Sequence, residues 1–217
     1  MPRTLAVMIL IGALLVDLPL RGQRRDESRG QPGAFDYYLL ALSWSPEHCA
    51  TAGRNDSEQC GARPFAFIVH GLWPQYDRGW PQFCANPANL PDALISRMLD
   101  IMPSRDLIRH EWKRHGTCSG GNPDTYFGTV RKAYNSIRIP GRYVSLTRDL
   151  VTTPAEIERE FLQANRNIPP DGIVLSCNSR YLREVQICLD RSLRPRACGA
   201  DVRDRCNSSQ VVLRRVR

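Results

Sequence analysis

The sequence predicts a single α+β domain, with a central antiparallel β-sheet flanked by helices and braced by disulfides. Three observations lead there. The chain has 217 residues, enough for one domain with a real core. Strand-like and helix-like runs occur without the βα alternation of a parallel fold. Eight cysteines, an even number, come after an apparent export signal, which argues for four disulfides formed in an oxidising compartment.

Each element has its own signal. "MPRTLAVMILIGALLVDLPLRG" has an arginine and then an apolar run from Leu5 to Val16, short for a bilayer span and suited to a signal-peptide core. Residues 1–22 therefore read as a signal peptide, with an uncleaved anchor as the alternative, and the protein as secreted, extracellular or periplasmic. No other stretch could cross a membrane. Polar residues 23–33 read as a flexible segment, and 34–217 as the single folded domain. "FDYYLLALSWSP" is a buried strand that Pro46 closes, and the stretch between Cys49 and Cys60 is a loop. "FAFIVHGLWPQ" is a second strand with His70 at its end. "NLPDALISRMLDIMP" and roughly Asp106 to Gly116 are helices, the second ended by its glycine. "NPDTYFGTVRKAYNSI" places Tyr126, Val130, Ala133 and Ile137 on one helical face. In "TTPAEIEREFLQANRN", Thr153 can cap, Pro154 suits the first turn and Glu156 completes a capping box. "GIVLSCN" and "REVQICL" are two late strands, with Cys177 and Cys188 near their facing ends. The remainder is irregular and basic.

Hydrophobic content of 42% excludes a disordered chain. A net charge of +8 favours polyanions such as nucleic acid or anionic membranes, although many secreted proteins are simply basic.

The chemistry concentrates in "RHEWKRHGTCSG" (109–120). On a helix at about 100° per residue, His110, Arg114, Glu111 and His115 fall within one arc of about 140°. Trp112 lies off that arc and can pack into the core, and Lys113 lies outside its other edge. A metalloprotease motif spaces its histidines four apart on one face; these are five apart, and the cysteines form no Cys-x-x-Cys pair, so no metal or other cofactor is expected. A face of imidazoles, carboxylate and guanidinium suits phosphate chemistry, in which the cation holds nonbridging oxygens and a neutral imidazole takes a proton. A second acid is needed for the leaving group, and His70 is the candidate. Trp73 and Tyr76 beside it could stack on a base, or Trp73 could be core. His48 has no comparable setting and receives no role.

"FIVHGLWPQ" and "RHEWKRHGTCSG" resemble the two active-site motifs of the ribonuclease T2 family, in order and separation. "FDYYLLALSWSP" resembles the family's first strand and "GIVLSCN…LREVQICL" its late strand pair, so the resemblance covers most of residues 35–190. It implies a secreted, metal-independent endoribonuclease that cleaves single-stranded RNA to 2′,3′-cyclic phosphate and then 3′-phosphate ends. His70 would protonate the leaving 5′ oxygen and His115 would deprotonate the 2′ hydroxyl. His110 would hold the phosphate, with Glu111 and Arg114 stabilising the phosphorane. Arg114 stands where the family usually has lysine, which changes reach and hydrogen-bond shape. Trp73, Gln75 and Tyr76 would form a base pocket, with Lys113 as a further substrate contact. Gln75 stands where the family often has an acid. Cys84–Cys118 and Cys177–Cys188 resemble family bridges, while Cys49–Cys60 and Cys198–Cys206 are inferred from proximity. A monomer is expected, with DNA as an uncleaved competitor. The rival readings are a catalytically inactive T2-like RNA-binding or signalling protein and a plain disulfide-braced binding protein. The full set of motif histidines speaks against both.

Overall fold

The computed structural model describes Met1 and residues 30–54, 56–61 and 63–216. The expected signal segment beyond Met1 and residues 23–29 of the expected flexible segment lie outside the described residues. In chain order the elements are β1 (Tyr37–Trp44), α1 (Ser45–Ala50), α2 (Ser57–Cys60), β2 (Phe67–Gln75), α3 (Asp92–Met98), α4 (Arg105–Arg114), α5 (Pro123–Asn135), β3 (Leu150–Thr152), α6 (Pro154–Ala164), β4 (Ile173–Asn178), β5 (Tyr181–Asp190) and β6 (Val211–Leu213). Among the described residues no helix is long and apolar enough to cross a membrane.

One sheet carries the α+β fold, in the order β2-β1-β5-β6-β3, with β4 on β5. Among the named strands the expected antiparallel pattern holds except where β6 meets β5 in parallel through Tyr181 and Val212, and Arg205 adds an isolated parallel bridge to Ser176. Strands β3 and β6 were not expected, because three residues are too few to show a period. Alternation along β1 sends Leu40 and Leu42 into the large core and Tyr37 and Leu39 to a smaller cluster with Cys188, on the opposite face. Helices α3 to α6 cover the first face: Leu94, Ile95, Ile108, Trp112, Val130 and Phe161 are all buried there.

The local signals act largely as expected. Tyr126, Val130, Ala133 and Ile137 are buried together. Pro46 closes β1 by opening α1, so the stretch between Cys49 and Cys60 holds two short helices as well as loop. Thr153 Oγ1 accepts from the Glu156 amide at 3.1 Å, but the Glu156 carboxylate turns to Arg159, so only half of the capping box forms. The Ser104 hydroxyl caps α4, accepting from the Leu107 amide at 3.4 Å, and the helix stops at Arg114, before His115.

Two of the four expected disulfides form as expected, Cys49–Cys60 and Cys84–Cys118. The other two are exchanged: the bridges are Cys177–Cys206 and Cys188–Cys198. The cause is the β4–β5 hairpin. Cys177 stands beside its turn, opposite Leu182, and Cys188 lies six residues further along β5. That is about 20 Å of strand, against a disulfide reach of about 4.4–6.8 Å between Cα atoms. Each cysteine instead takes a partner from the segment after the hairpin, with Cα–Cα distances of 4.8 and 5.3 Å.

Candidate active site

β2 does not end at His70; it runs through it. Pairing with β1 matches Leu42 to Val69 and Ala41 to Gly71, which leaves His70 as the extra, unpaired residue of a β-bulge. The bulge changes the phase of the strand. Before it, Phe67 and Val69 point into the large core; after it, Leu72 does. His70, Trp73 and Gln75 consequently line the same cleft. Without the extra residue, His70 and Trp73 would point to opposite faces.

Small side chains leave the sheet surface low beside the bulge. Gly71 sits beside Ala41, which sits beside Gln186 of β5, and Ser43 sits beside Glu184. Across this low stretch His70 reaches a strand two away: its Nδ1 lies 2.7 Å from Glu184 Oε1. Glu184 is 1% exposed, accepts from Gln186 Nε2 at 2.7 Å and has Ser43 Oγ at 3.4 Å. A Cβ on Gly71 would collide with Glu111 Oε2 and Trp73 Nε1.

α4 supplies the opposite side. Glu111, 1% exposed, accepts from Trp73 Nε1 at 2.8 Å and stands 3.8 Å from His70 Nε2. His115 is the C-cap, outside the helix proper, and stacks on Trp73 with centroids 5.3 Å apart. His70 meets the same indole edge-on at 5.2 Å. Trp73 is therefore both cleft lining and scaffold. Arg114 faces the cleft, with its guanidinium 5.8 Å from the Phe83 ring. Trp112 packs in the core and its indole N–H donates to Ala88.

The two imidazoles meet opposite fields. Burial alone would lower the pKa of His70, but the Glu184 hydrogen bond and the charges of Glu111 and Glu184 outweigh it, and the pKa is raised. His115 is buried, has no partner for Nδ1 among the described residues and lies near Arg114, and its pKa falls to about 2. Burial and then Arg114 also lower His110. Burial raises Glu111 to about 7, against the pull of His70. Glu184 goes the other way: burial opposes its charge, yet the hydrogen bond and charge of His70 hold it at about 2.

These groups line a cleft of about 290 Å³ that contains His70, His110, Glu111, Arg114 and His115 together with Trp73 and Gln75. His70 and His110 also border a second hollow, with Ser43, His48 and Leu107, so they form the ridge between the two. Two expected contacts are not in the cleft: Lys113 is exposed off its edge, and Tyr76 packs against the core. Gln75 reaches the cleft but is buried, its amide donating to Pro74 O at 3.0 Å. The sequence reading missed Glu184, which holds His70 from behind, and Arg183, Gln186, Trp80, Asp201, Val202, Arg203 and Arg205, which complete the lining. A signal for the β5 pair existed. In "EVQIC" the polar residues alternate with Val185 and Ile187, which marks a second, polar face.

Residues 35–198 match the family model described as Ribonuclease T2 family. The chain belongs to the ribonuclease T2 family. It is 35% identical to a ribonuclease of Aeromonas hydrophila, over 97% of this chain and 99% of that one. It is 28% identical to Ribonuclease I of Escherichia coli, covering 73% and 76% of the two chains. Among solved structures, an RNase-related protein from Calystegia sepium superposes with a TM-score of 0.67 at 28% identity, over 83% of this chain and 97% of that one. This T2 ribonuclease is thus an endoribonuclease acting on RNA, with the two family motifs facing each other across one indole.

Proposed function

We propose that the enzyme cleaves single-stranded RNA through the substrate's own 2′ hydroxyl. The carrying observation is the pairing of a buried, cation-flanked His115 with a carboxylate-held His70 across Trp73. His115 stays neutral well into the acid range and can accept the 2′ proton. His70 keeps its proton to higher pH than an ordinary histidine and can deliver it to the departing 5′ oxygen. As the 2′ oxygen attacks phosphorus, the P–O5′ bond breaks, leaving a 2′,3′-cyclic phosphate. Water then opens this to a 3′ phosphate, with the two histidines exchanging roles. Attack by a neighbouring hydroxyl has the advantage of proximity. His110 and Arg114 hold the nonbridging oxygens, and Glu111 holds Trp73 and balances charge beside His70. Glu184 is a positioning residue: it takes the Nδ1 proton of His70 in a hydrogen bond and leaves Nε2 to face the cleft.

The solved structure of RNase NT in complex with 5′-AMP is of the same fold, at 21% identity and a TM-score of 0.62. This supports a nucleotide-sized cleft beside the histidines, with Trp73 and Gln75 at a base. Four disulfides support an exported enzyme working in an oxidising compartment. The chain acts as a monomer, and DNA binds the basic cleft without being cut.

The test is digestion of the dinucleotide ApU and its 2′-deoxy analogue, with EDTA throughout. ApU should give the cyclic phosphate first and the 3′ phosphate later. The deoxy analogue should inhibit competitively and stay intact, and His115→Ala should lose about 10²–10⁴-fold in rate. Cleavage of the deoxy analogue, or a 5′-phosphate product, would refute the mechanism.

A further inference from the structure

The family match ends at residue 198, yet the wall of the cleft continues beyond it. Residues 198–206 form a loop tied at both ends to the β4–β5 hairpin, by Cys188–Cys198 and by Cys177–Cys206. Between the anchors its backbone is fixed at several points. The Gly199 amide donates to Tyr37 Oη at 3.1 Å, and Gly79 N donates to Asp201 Oδ2 at 2.6 Å. Val202 packs against the small cluster of Tyr37, Leu39 and Cys188. The Arg205 amide donates to Leu175 O at 2.8 Å.

On this fixed loop Arg203 and Arg205 line the cleft, joined by Arg183 from β5. The residue between them, Asp204, is used elsewhere: its Oδ1 accepts from the Leu175 amide at 2.7 Å. Asp201, the one carboxylate of the loop that lines the cleft, is occupied by the Gly79 amide. Among the described residues neither Arg203 nor Arg205 forms an ion pair; Arg203 Nε only donates to Ala200 O at 2.7 Å. Elsewhere other arginines are held by acids, as Arg131 is by Asp100 and Arg214 by Glu47. Two guanidinium groups that face a nucleotide-sized cleft from a preordered backbone, with no carboxylate in direct ion-pair contact among the described residues, are a polyanion site.

We propose that the disulfide-tied loop 198–206 is a second phosphate-binding rail, on which Arg203 and Arg205 hold a phosphodiester next to the scissile one. The proposal rests on the reading of the His70–His115 cleft as the place where RNA is cut. It makes the enzyme a selector of chain length: an oligonucleotide has a neighbouring phosphate to offer and a dinucleoside monophosphate has none.

The experiment compares wild type with Arg203→Ala/Arg205→Ala on ApU and on an oligouridylate, across a salt series. The ratio of kcat/KM on the oligomer to that on ApU should fall about tenfold or more, the size of lost charge-assisted hydrogen bonds, and the loss should lie in KM. The slope of log(kcat/KM) against log[salt] on the oligomer should become shallower by about 1.4, two single-strand contacts at about 0.7 each. Arg203→Lys/Arg205→Lys should restore the slope, and matching melting curves establish that the loop still folds. An unchanged ratio with an unchanged slope overturns the rail. Direct binding of the oligomer's 2′-deoxy analogue separates the rail from the reading beneath it. If His115→Ala remains active, the catalytic assignment fails. If the double variant binds the deoxy oligomer as wild type does, the rail fails whatever the catalytic residues are.

Discussion

His70 and His115 flank one indole, and their proton affinities are set by what lies behind each ring. Behind His70 is a carboxylate two strands away; behind His115 is buried space and a guanidinium. On the proposed mechanism the rate should follow a bell in pH, with an acid limb set by a base that resists protonation and an alkaline limb set by an acid that resists losing its proton. Glu184→Gln tests this directly. With the carboxylate gone, burial is left to lower the pKa of His70, so the alkaline limb should move to lower pH while the acid limb stays. The measurement is kcat/KM against pH for both proteins, and an unmoved alkaline limb would remove Glu184 from the mechanism. Much of this scale was legible in advance. The helical arc brought His110, Glu111 and Arg114 together and set Lys113 outside it. Glu184 was not legible as a partner of His70, because the contact depends on the order β2-β1-β5 and on the small Ala41 between them.

Elements hold these side chains in place through a few tight contacts. Gly71 is one: a methyl there would drive apart Glu111 and Trp73. Gly71→Ala should cost about 1–3 kcal/mol, the scale of a buried acceptor losing its donor, and should lower activity with it. Chemical denaturation and ApU turnover measure the two. The α6 helix meets the 198–206 loop at another contact, where burial and the neighbouring Asp204 raise Glu158 to about 7 from an ordinary 4.5. A carboxyl with a raised pKa holds its proton more tightly in the folded state than in the unfolded one. Its contribution is thus complete below about 4.5 and is lost as pH rises to about 7. The melting temperature of wild type relative to Glu158→Gln should fall across that window, and a difference that stays flat with pH would show that the pair is not coupled to folding. The sequence marked the long helices and the first strands well, since both have periods to count. It misplaced the hairpin cysteines: the Cys177–Cys188 pairing came from the family resemblance, although the order of the two strands puts Cys177 beside the turn and Cys188 toward the far end.

For the whole molecule, the bridges join regions that the sheet alone does not. Cys84–Cys118 ties the segment after β2 to the end of α4, closing 34 residues of chain. Removing it as Cys84→Ala/Cys118→Ala should cost about 3.5–4 kcal/mol if unfolded-chain entropy dominates. Because Cys118 lies so close after His115, activity should decline below the melting point as well. Calorimetry beside a thermal activity profile measures both, and a melting point within error of wild type would show that the bridge leaves stability alone. The net charge of +8 was legible as an attraction to polyanions, but not the loop that directs part of that charge into the cleft. The unpaired His70 also bears on how such an enzyme can change over generations. A substitution in the nine residues of β2 alters one side chain. An insertion or deletion after the bulge would invert everything beyond it, exchanging the indole of Trp73 for Leu72 and carrying Gln75 into the core. Descendants of this gene should vary in the strand's other side chains before they vary in how many residues separate His70 from Trp73. The site is kept by counting as much as by chemistry.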